Sequence, residues 1–535
     1  MDARPRKKGL TISPRPLKPY IAVLLAAAML AHTACSRVKD EKQRGEPESV
    51  PSASESAAAA VSSGADEETW AAVFIRGTKA GYQRVLRREI ERNGQLLIRV
   101  ETQLLLSVVR GGRRIDQDMK LVSLETPDGE LVEFTTVRDQ SGLPQVTTGR
   151  VDGERLMIET AGGGESSRHV IPWTAGDGGL AAVEESLRRE PLEPGQRRTI
   201  RHFSPVVNQV ATVRLAAQQC ETVRLLGEDA QLLRVHVSTE LPGGQQIDMV
   251  SWIDEQGEIF KTRLPALGHE LIRTTRQIAM SDLGEANFDL LFDTMVRLRQ
   301  PPDDPHAAQK IRYRVRVRDG NPAEVFPAGI SQQVFAEDGD TAEVTVLAVR
   351  PDWPPSEQVT ADVSPTIEDS EANAFIQSDD PRVRRLAAEA VGERSDTWSR
   401  AVVLERFVHD YMTETGYTQA FSTAAEAAAS RSGDCTEHAV LLAALARAQE
   451  IPARVAIGLV YARTARGEGF AYHMWNEIYV RDRWIPMDGT LGRGGTGGGH
   501  LKLTDSNLSG ADALAAFLPV VQVMGRLEIE VLGVQ

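Results

Sequence analysis

Cysteine is scarce in this chain, with three in 535 residues. Three thiols cannot build a disulfide framework over such a length, so a cysteine that matters here matters through reactivity or modification. Basic residues are outnumbered, 61 Lys and Arg against 75 Asp and Glu, and the formal charge of −14 disfavours a nucleic-acid partner, which needs a basic face. The apolar stretch near the N-terminus, residues 20–31, falls short of the ~20 residues a membrane-spanning helix needs. No CxxC is present, and His269-Glu270 lacks the second histidine of a zinc-protease helix. The ten histidines are scattered without ligand spacing, so no metal site is expected. There is no Walker A motif. Gly492-Arg493-Gly494-Gly495-Thr496-Gly497 satisfies GxGxxG, but it leads into the strand-like Leu501-Lys502-Leu503 instead of a helix, and reads as a mobile loop.

What is present begins with an address label. Arg4, Arg6, Lys7, Lys8, Arg15 and Lys18 precede the apolar stretch, which is the pattern of an export signal. Ala34-Cys35 follows in a setting that resembles a bacterial lipoprotein processing site, although His32 stands where such sites usually carry leucine. The expectation is an export signal over residues 1–35 with lipid on Cys35, cleavage without lipid being the alternative. Residues 36–66 are rich in Ser, Ala, Glu and Lys and read as a disordered tether. Both readings put the folded part outside the cytoplasm, on the periplasmic side of the cell envelope, and lipid on Cys35 would make it a membrane-anchored lipoprotein.

Hydrophobic residues at 41% and charged residues at 25% are those of a folded chain, and the length suggests about three units. Residues 67–290 alternate apolar and polar positions between turn signals such as Asn93-Gly94, Asp152-Gly153 and Pro242-Gly243-Gly244, and predict a large antiparallel β domain. A short β segment over 307–350 and a proline-rich, acidic linker over 351–371 follow. From residue 372 to 535 the period changes to 3.6, with Asp380-Pro381 as a helix start and Val402, Leu404, Phe407, Val408 and Tyr411 on a second helix. The predicted class is α+β, a C-terminal α+β domain preceded by a large antiparallel β-rich region.

The chemistry gathers around Ser432-Gly433-Asp434-Cys435-Thr436-Glu437-His438. Turn and cap residues precede Cys435 and strong helix formers follow it, so the thiol falls at a helix N-terminus, where unpaired N–H groups stabilise a thiolate relative to its usual pKa of ~8.5. Those amides can also receive an oxyanion. Residues 473–490 read as a β-hairpin with its turn centred between Val480 and Arg481. That register sets His473 opposite Asp488, ~5 Å away at Cβ, and Glu477 opposite Trp484.

Gly433-Asp434-Cys435 with its helix, Ile451-Pro452-Ala453-Arg454, His473-Met474-Trp475-Asn476-Glu477 and Trp484-Ile485-Pro486-Met487-Asp488-Gly489-Thr490 together resemble the transglutaminase-like superfamily, whose core is similar to papain-type cysteine proteases. The resemblance covers about residues 372–495 and leaves the β-rich part unexplained. It implies a nucleophile at Cys435, a base and then acid at His473, and an orienting carboxylate at Asp488. It also offers Tyr417, in the loop before the nucleophile, as an oxyanion donor, with packing as the alternative. The bland readings are a buried small thiol, an incidental strand pair and core tryptophans at 475 and 484; His438 reads as a surface or packing residue. The expected reaction is thiol-dependent cleavage or transfer of a peptide or glutamine amide through a thioester, on a protein or peptide substrate in the envelope, and it requires no cofactor. The alternative is a catalytically idle binding or scaffold protein acting through its β-rich region.

Overall fold

A computed structural model describes residues 61–62 and 66–535, apart from 111, 141–142, 163–164, 206, 243–245, 266–267, 284–288, 351–362, 414–421, 465 and 510–515. Cys35, the export signal, most of the tether and the oxyanion candidate Tyr417 lie outside the described residues. No helix among the described residues is long and apolar enough to cross a membrane.

The fold is α+β, with strands dominating the N-terminal part and helices concentrated after residue 380. Two meanders build a 15-stranded antiparallel sheet. One runs from Glu67–Ile75 to Glu165–Pro172, the other from Arg197–Ser204 to His269–Thr274, and they join where His269–Thr274 pairs with Glu67–Ile75. Val61–Ser62, which the sequence assigns to the tether, pairs with Ile90 and Glu91 of Thr78–Arg92. Alternation puts one face of each strand inward, as with Leu104, Leu106 and Val108 of Gln95–Arg110. The two meanders also touch across that interior, where Phe134 and Phe203 lie 4.6 Å apart at their ring centroids. Each such large side chain contributes roughly 1.5–3 kcal/mol by leaving water.

The C-terminal part begins with the helices Pro381–Val391, Thr397–Tyr411, Ala424–Ser430 and Cys435–Arg447. Each starts on a residue that caps free amides: Asp380, Asp396, Thr423 and Asp434 all accept hydrogen bonds from the first turn. Cys435–Arg447 is buried along its whole length, as its near-continuous Ala and Leu content requires. It packs on a five-stranded sheet in which Ala453–Thr464 lies between Gly467–Val480 and His500–Ser506, while Arg483–Met487 and Val296–Arg297 both pair with the other edge of Gly467–Val480.

The strands of the 307–350 segment do not stand alone. Lys310–Val317 lies between Thr341–Leu347 and the chain's last strand, Leu527–Val534, so this segment shares one four-stranded sheet with the end of the C-terminal part. Its alternation is strict, Ile311, Tyr313, Val315 and Val317 inward and Arg312, Arg314 and Arg316 outward against acidic partners.

That sheet clasps the glycine run, which corrects the expectation of a mobile loop. Residues 494–499 are buried, and Val349 and Thr496 exchange backbone hydrogen bonds of 2.9 and 3.0 Å. A Cβ on Gly495 would come within 2.1 Å of the Val349 carbonyl oxygen, so glycine is required by close approach as well as by its positive φ of 111°. The Tyr313 hydroxyl donates to the Gly498 carbonyl at 2.7 Å. Of the linker, the described residues 363–371 are mostly exposed but are tied to the domain at both ends: Trp484 Nε1 donates to the Val363 carbonyl, and Arg447 to that of Glu371.

Replacing Tyr313 with Phe strips the buried Gly498 carbonyl of its donor. The expected cost is about 1–3 kcal/mol in urea unfolding, with the slope of the transition unchanged; a loss below the error of the fit would show that the clasp carries no stability.

Candidate active site

Cys435 opens its helix, as the cap signals predict. Asp434 Oδ1 accepts from the Thr436 amide at 2.8 Å, and Glu437 Oε2 accepts from the Asp434 amide at 2.9 Å, closing a capping box around the cysteine. The second oxygen of Glu437 accepts from the Ser422 amide at 3.0 Å. Burial and the neighbouring Asp434 charge push the Glu437 carboxyl up to about 8. His438, expected at the surface or in packing, is buried; its Nδ1 lies against the Asp434 carbonyl, and burial lowers its pKa.

The hairpin differs from the expected register by two residues. Arg481 and Asp482 adopt φ of 54° and 59°, forming a two-residue turn that pairs Val480 with Arg483, Tyr479 with Trp484 and Glu477 with Pro486. A shift of two keeps every side chain on its face, and Asp488, one residue beyond Arg483–Met487, still meets His473. His473 Nε2 lies 2.9 Å from Asp488 Oδ2. The Met474 amide donates to Cys435 Sγ at 3.2 Å, which seats the thiol against the same strand beside His473. The structure thus brings Cys435, His473 and Asp488 to one place, with 1%, 2% and 1% of their surfaces exposed.

Tautomer follows from these contacts. A carboxylate only accepts, so His473 Nε2 carries the hydrogen and Nδ1 keeps a lone pair; Nδ1 has no hydrogen-bond partner among the described residues. Burial opposes ionisation of Asp488, but its electrostatic interaction with His473 and the hydrogen bonds from His473 and His500 outweigh it and hold the carboxyl well below its usual range. Oδ1 accepts from the Thr490 amide at 2.9 Å.

Two contributors escaped the sequence reading. His500 Nε2 lies 2.9 Å from Asp488 Oδ2, the oxygen that also holds His473. Glu405, fully buried on Thr397–Tyr411, accepts from the amides of Asp488 at 2.8 Å and Gly495 at 3.0 Å. It occupies a core position in the series Ala401, Leu404, Glu405, Val408, and an acid in that series is the signal that could have found it. Trp475 packs beside both imidazoles, 6.1 Å from His473 and 5.2 Å from His500. Gly458, opposite His473, leaves no room for a Cβ, which would come within 2.1 Å of the Leu501 carbonyl oxygen. Arg454, Glu477 and Trp484 do structural work instead: Arg454 pairs with Glu477 at 2.7 Å and Asp505 at 2.8 Å, and its guanidinium lies 4.1 Å from the Trp484 ring centre.

Residues 384–489 match the transglutaminase-like superfamily model, so this chain carries a transglutaminase-like domain, and that domain points to papain-like cysteine chemistry. Solved structures with similarity include a protein of Cytophaga hutchinsonii described as a candidate cysteine protease, 18% identical over 42% of this chain and 86% of that one, with a TM-score of 0.27. Another is a β-barrel-like protein of a domain of unknown function from Brucella abortus, 10% identical over 39% of this chain and 95% of that one, TM-score 0.30. A third, from Parabacteroides distasonis and described as a candidate protease, is 10% identical over 65% of this chain and 64% of that one, TM-score 0.17. No curated protein matches the sequence.

Burial pushes Glu405 up to about 8 in the folded chain, against about 4.3 when unfolded. The folded state therefore keeps a proton that the unfolded state has lost across that window, and the associated stability disappears as pH rises through it. The stability of the wild type relative to Glu405→Gln is expected to fall between about pH 5 and pH 8. Urea unfolding of both proteins over that range checks it, a constant difference being the contrary result.

Proposed function

We propose that the C-terminal domain is a thiol enzyme that cleaves or transfers amide bonds of protein or peptide substrates. The observation that carries this reading is the orientation of His473. Its Nε2–H is committed to Asp488, which leaves the Nδ1 lone pair as the basic nitrogen, and the amide of the next residue, Met474, donates to a thiol at a capped helix start.

The chemistry follows from these positions. Nδ1 takes the thiol proton, and the thiolate attacks the substrate carbonyl carbon to give a tetrahedral oxyanion. Collapse breaks the C–N bond, the Nδ1 proton leaves with the amine, and a thioester remains on Cys435. Water or a second amine, deprotonated by Nδ1, then attacks the thioester and returns the thiol. Water gives hydrolysis and an amine gives a new amide, with no external oxidant or cofactor in the balance. Tyr417 is the proposed oxyanion donor. Asp488 stays ionised throughout and stabilises the imidazolium that forms at His473. The export signal and Cys35 support a site of action in the cell envelope, with the membrane held through a lipid anchor.

Neither Cys220 nor Cys435 is joined in a disulfide, and Cys220 is exposed. Labelling must therefore be read in a background with Cys35 and Cys220 both replaced by Ser, so that Cys435 is the one remaining thiol of the three. There, iodoacetamide is expected to modify Cys435 at neutral pH at least 10-fold faster than an ordinary thiol of pKa ~8.5, and Cys435→Ala should abolish labelling while leaving the unfolding midpoint in place. Modification of Cys435 at the ordinary rate, with no thioester trapped from peptide or glutamine donors, would overturn the assignment.

A further inference from the structure

His500 lies outside the motifs that define the domain, 27 residues beyond the histidine assigned as base, yet it reaches the same carboxylate oxygen. Both imidazole Nε2 atoms stand 2.9 Å from Asp488 Oδ2. His500 is buried, and burial lowers its pKa, so near neutral pH it is an uncharged donor. It is held there from three sides. The His500–Ser506 strand pairs with Ala453–Thr464, the buried glycine run fixes its N-terminal side, and Trp475 and His306 approach its ring at 5.2 and 5.5 Å.

We propose that His500 acts on the thiol centre through Asp488: by donating to the oxygen that orients His473, it withdraws part of that carboxylate's hold on the imidazole. The proposal rests on the thiol reading above and deepens it. Asp488 does not need His500 for its orientation, because Oδ1 is held by the Thr490 amide and its own amide by Glu405. The role left to His500 is to share charge. An oxygen that accepts two hydrogen bonds offers less to each, so the Asp488–His473 pairing is weaker than with a single donor present.

His473, Asp488 and His500 also satisfy the distance rule for a metal trio, their ligand atoms lying within 4.8 Å of one another. The surroundings favour protons in that role. A ligating imidazole donates its second N–H to a nearby acceptor, and Nδ1 of both histidines has none among the described residues. The other titratable or charged groups that act here are Glu405, His438 and His306 on Asp488, and His306 and Arg350 on His500.

The test is the pH profile of Cys435 alkylation, with Cys35 and Cys220 replaced by Ser, for the otherwise wild-type chain, His500→Leu and His500→Gln. Leucine removes the donor, whereas glutamine keeps an N–H of similar reach. Stronger Asp488–His473 pairing stabilises the thiolate–imidazolium pair, so the acid limb of the profile is expected about one pH unit lower in His500→Leu and close to wild type in His500→Gln. His500→Asn, too short to reach Asp488, carries the same expectation if the leucine variant does not fold. Coincident acid limbs in all three proteins, with loss only of thermal stability, would overturn the proposal and leave the thiol chemistry standing. A wild-type profile with a single limb near pH 8.5 would overturn the thiol reading and this proposal with it.

Discussion

The anion at Asp488 is the constraint on which the rest of the domain depends. A carboxylate with 1% of its surface exposed persists only if donors replace the water it has lost. Here the donors come from separate places in the chain: His473 on one strand, His500 on another and the Thr490 amide in the turn after Met487. Its own amide is held by Glu405 on a helix 83 residues earlier. No local segment can satisfy this group, so the site exists only when the helices, the five-stranded sheet and the turn after Met487 have come together.

The four-stranded sheet acquires its meaning from that requirement. Residues 488–500 carry both Asp488 and His500 and contain the glycine run, which would be floppy as a free loop because glycine surrenders the most conformational entropy on ordering. The clasp by Val349, Tyr313 and the 306–311 region removes that freedom at the cost of admitting no side chains. Closing the clasp takes the last strand of the chain as well as the segment before the linker. A unit that looks detached in sequence is thereby part of the support for the site.

Legibility followed the range of each interaction. Cys435 was readable because a helix start is written in adjacent residues, Asp434 and Glu437 forming the cap that the sequence displays. The pairing of His473 with Asp488 was readable because side-chain alternation tolerates a register error of two residues. The turn itself was misplaced, since nothing in Arg481-Asp482 advertises positive φ as Asn-Gly would. His500, the strand Leu527–Val534 and the buried state of the glycine run were not readable, because each is defined by a partner far along the chain. Glu405 sits between these cases: its helical series marks it as buried, and only the fold says what it binds.

The β-rich region also has a physical connection to the site. Val296–Arg297, where the chain leaves that region, pairs with Phe470 and Gly469 on the strand that carries His473. Gly469 lies so close that a Cβ there would come within 2.3 Å of the Val296 carbonyl oxygen. Phe292 and Met295 pack on Ala471 of that strand and on Ala462 of its neighbour Ala453–Thr464. The exit of the large sheet therefore meets the strand that carries His473 three residues before that histidine. The connection runs through backbone pairing and packed side chains, so the exit of the large sheet and the strand that carries His473 are ordered together.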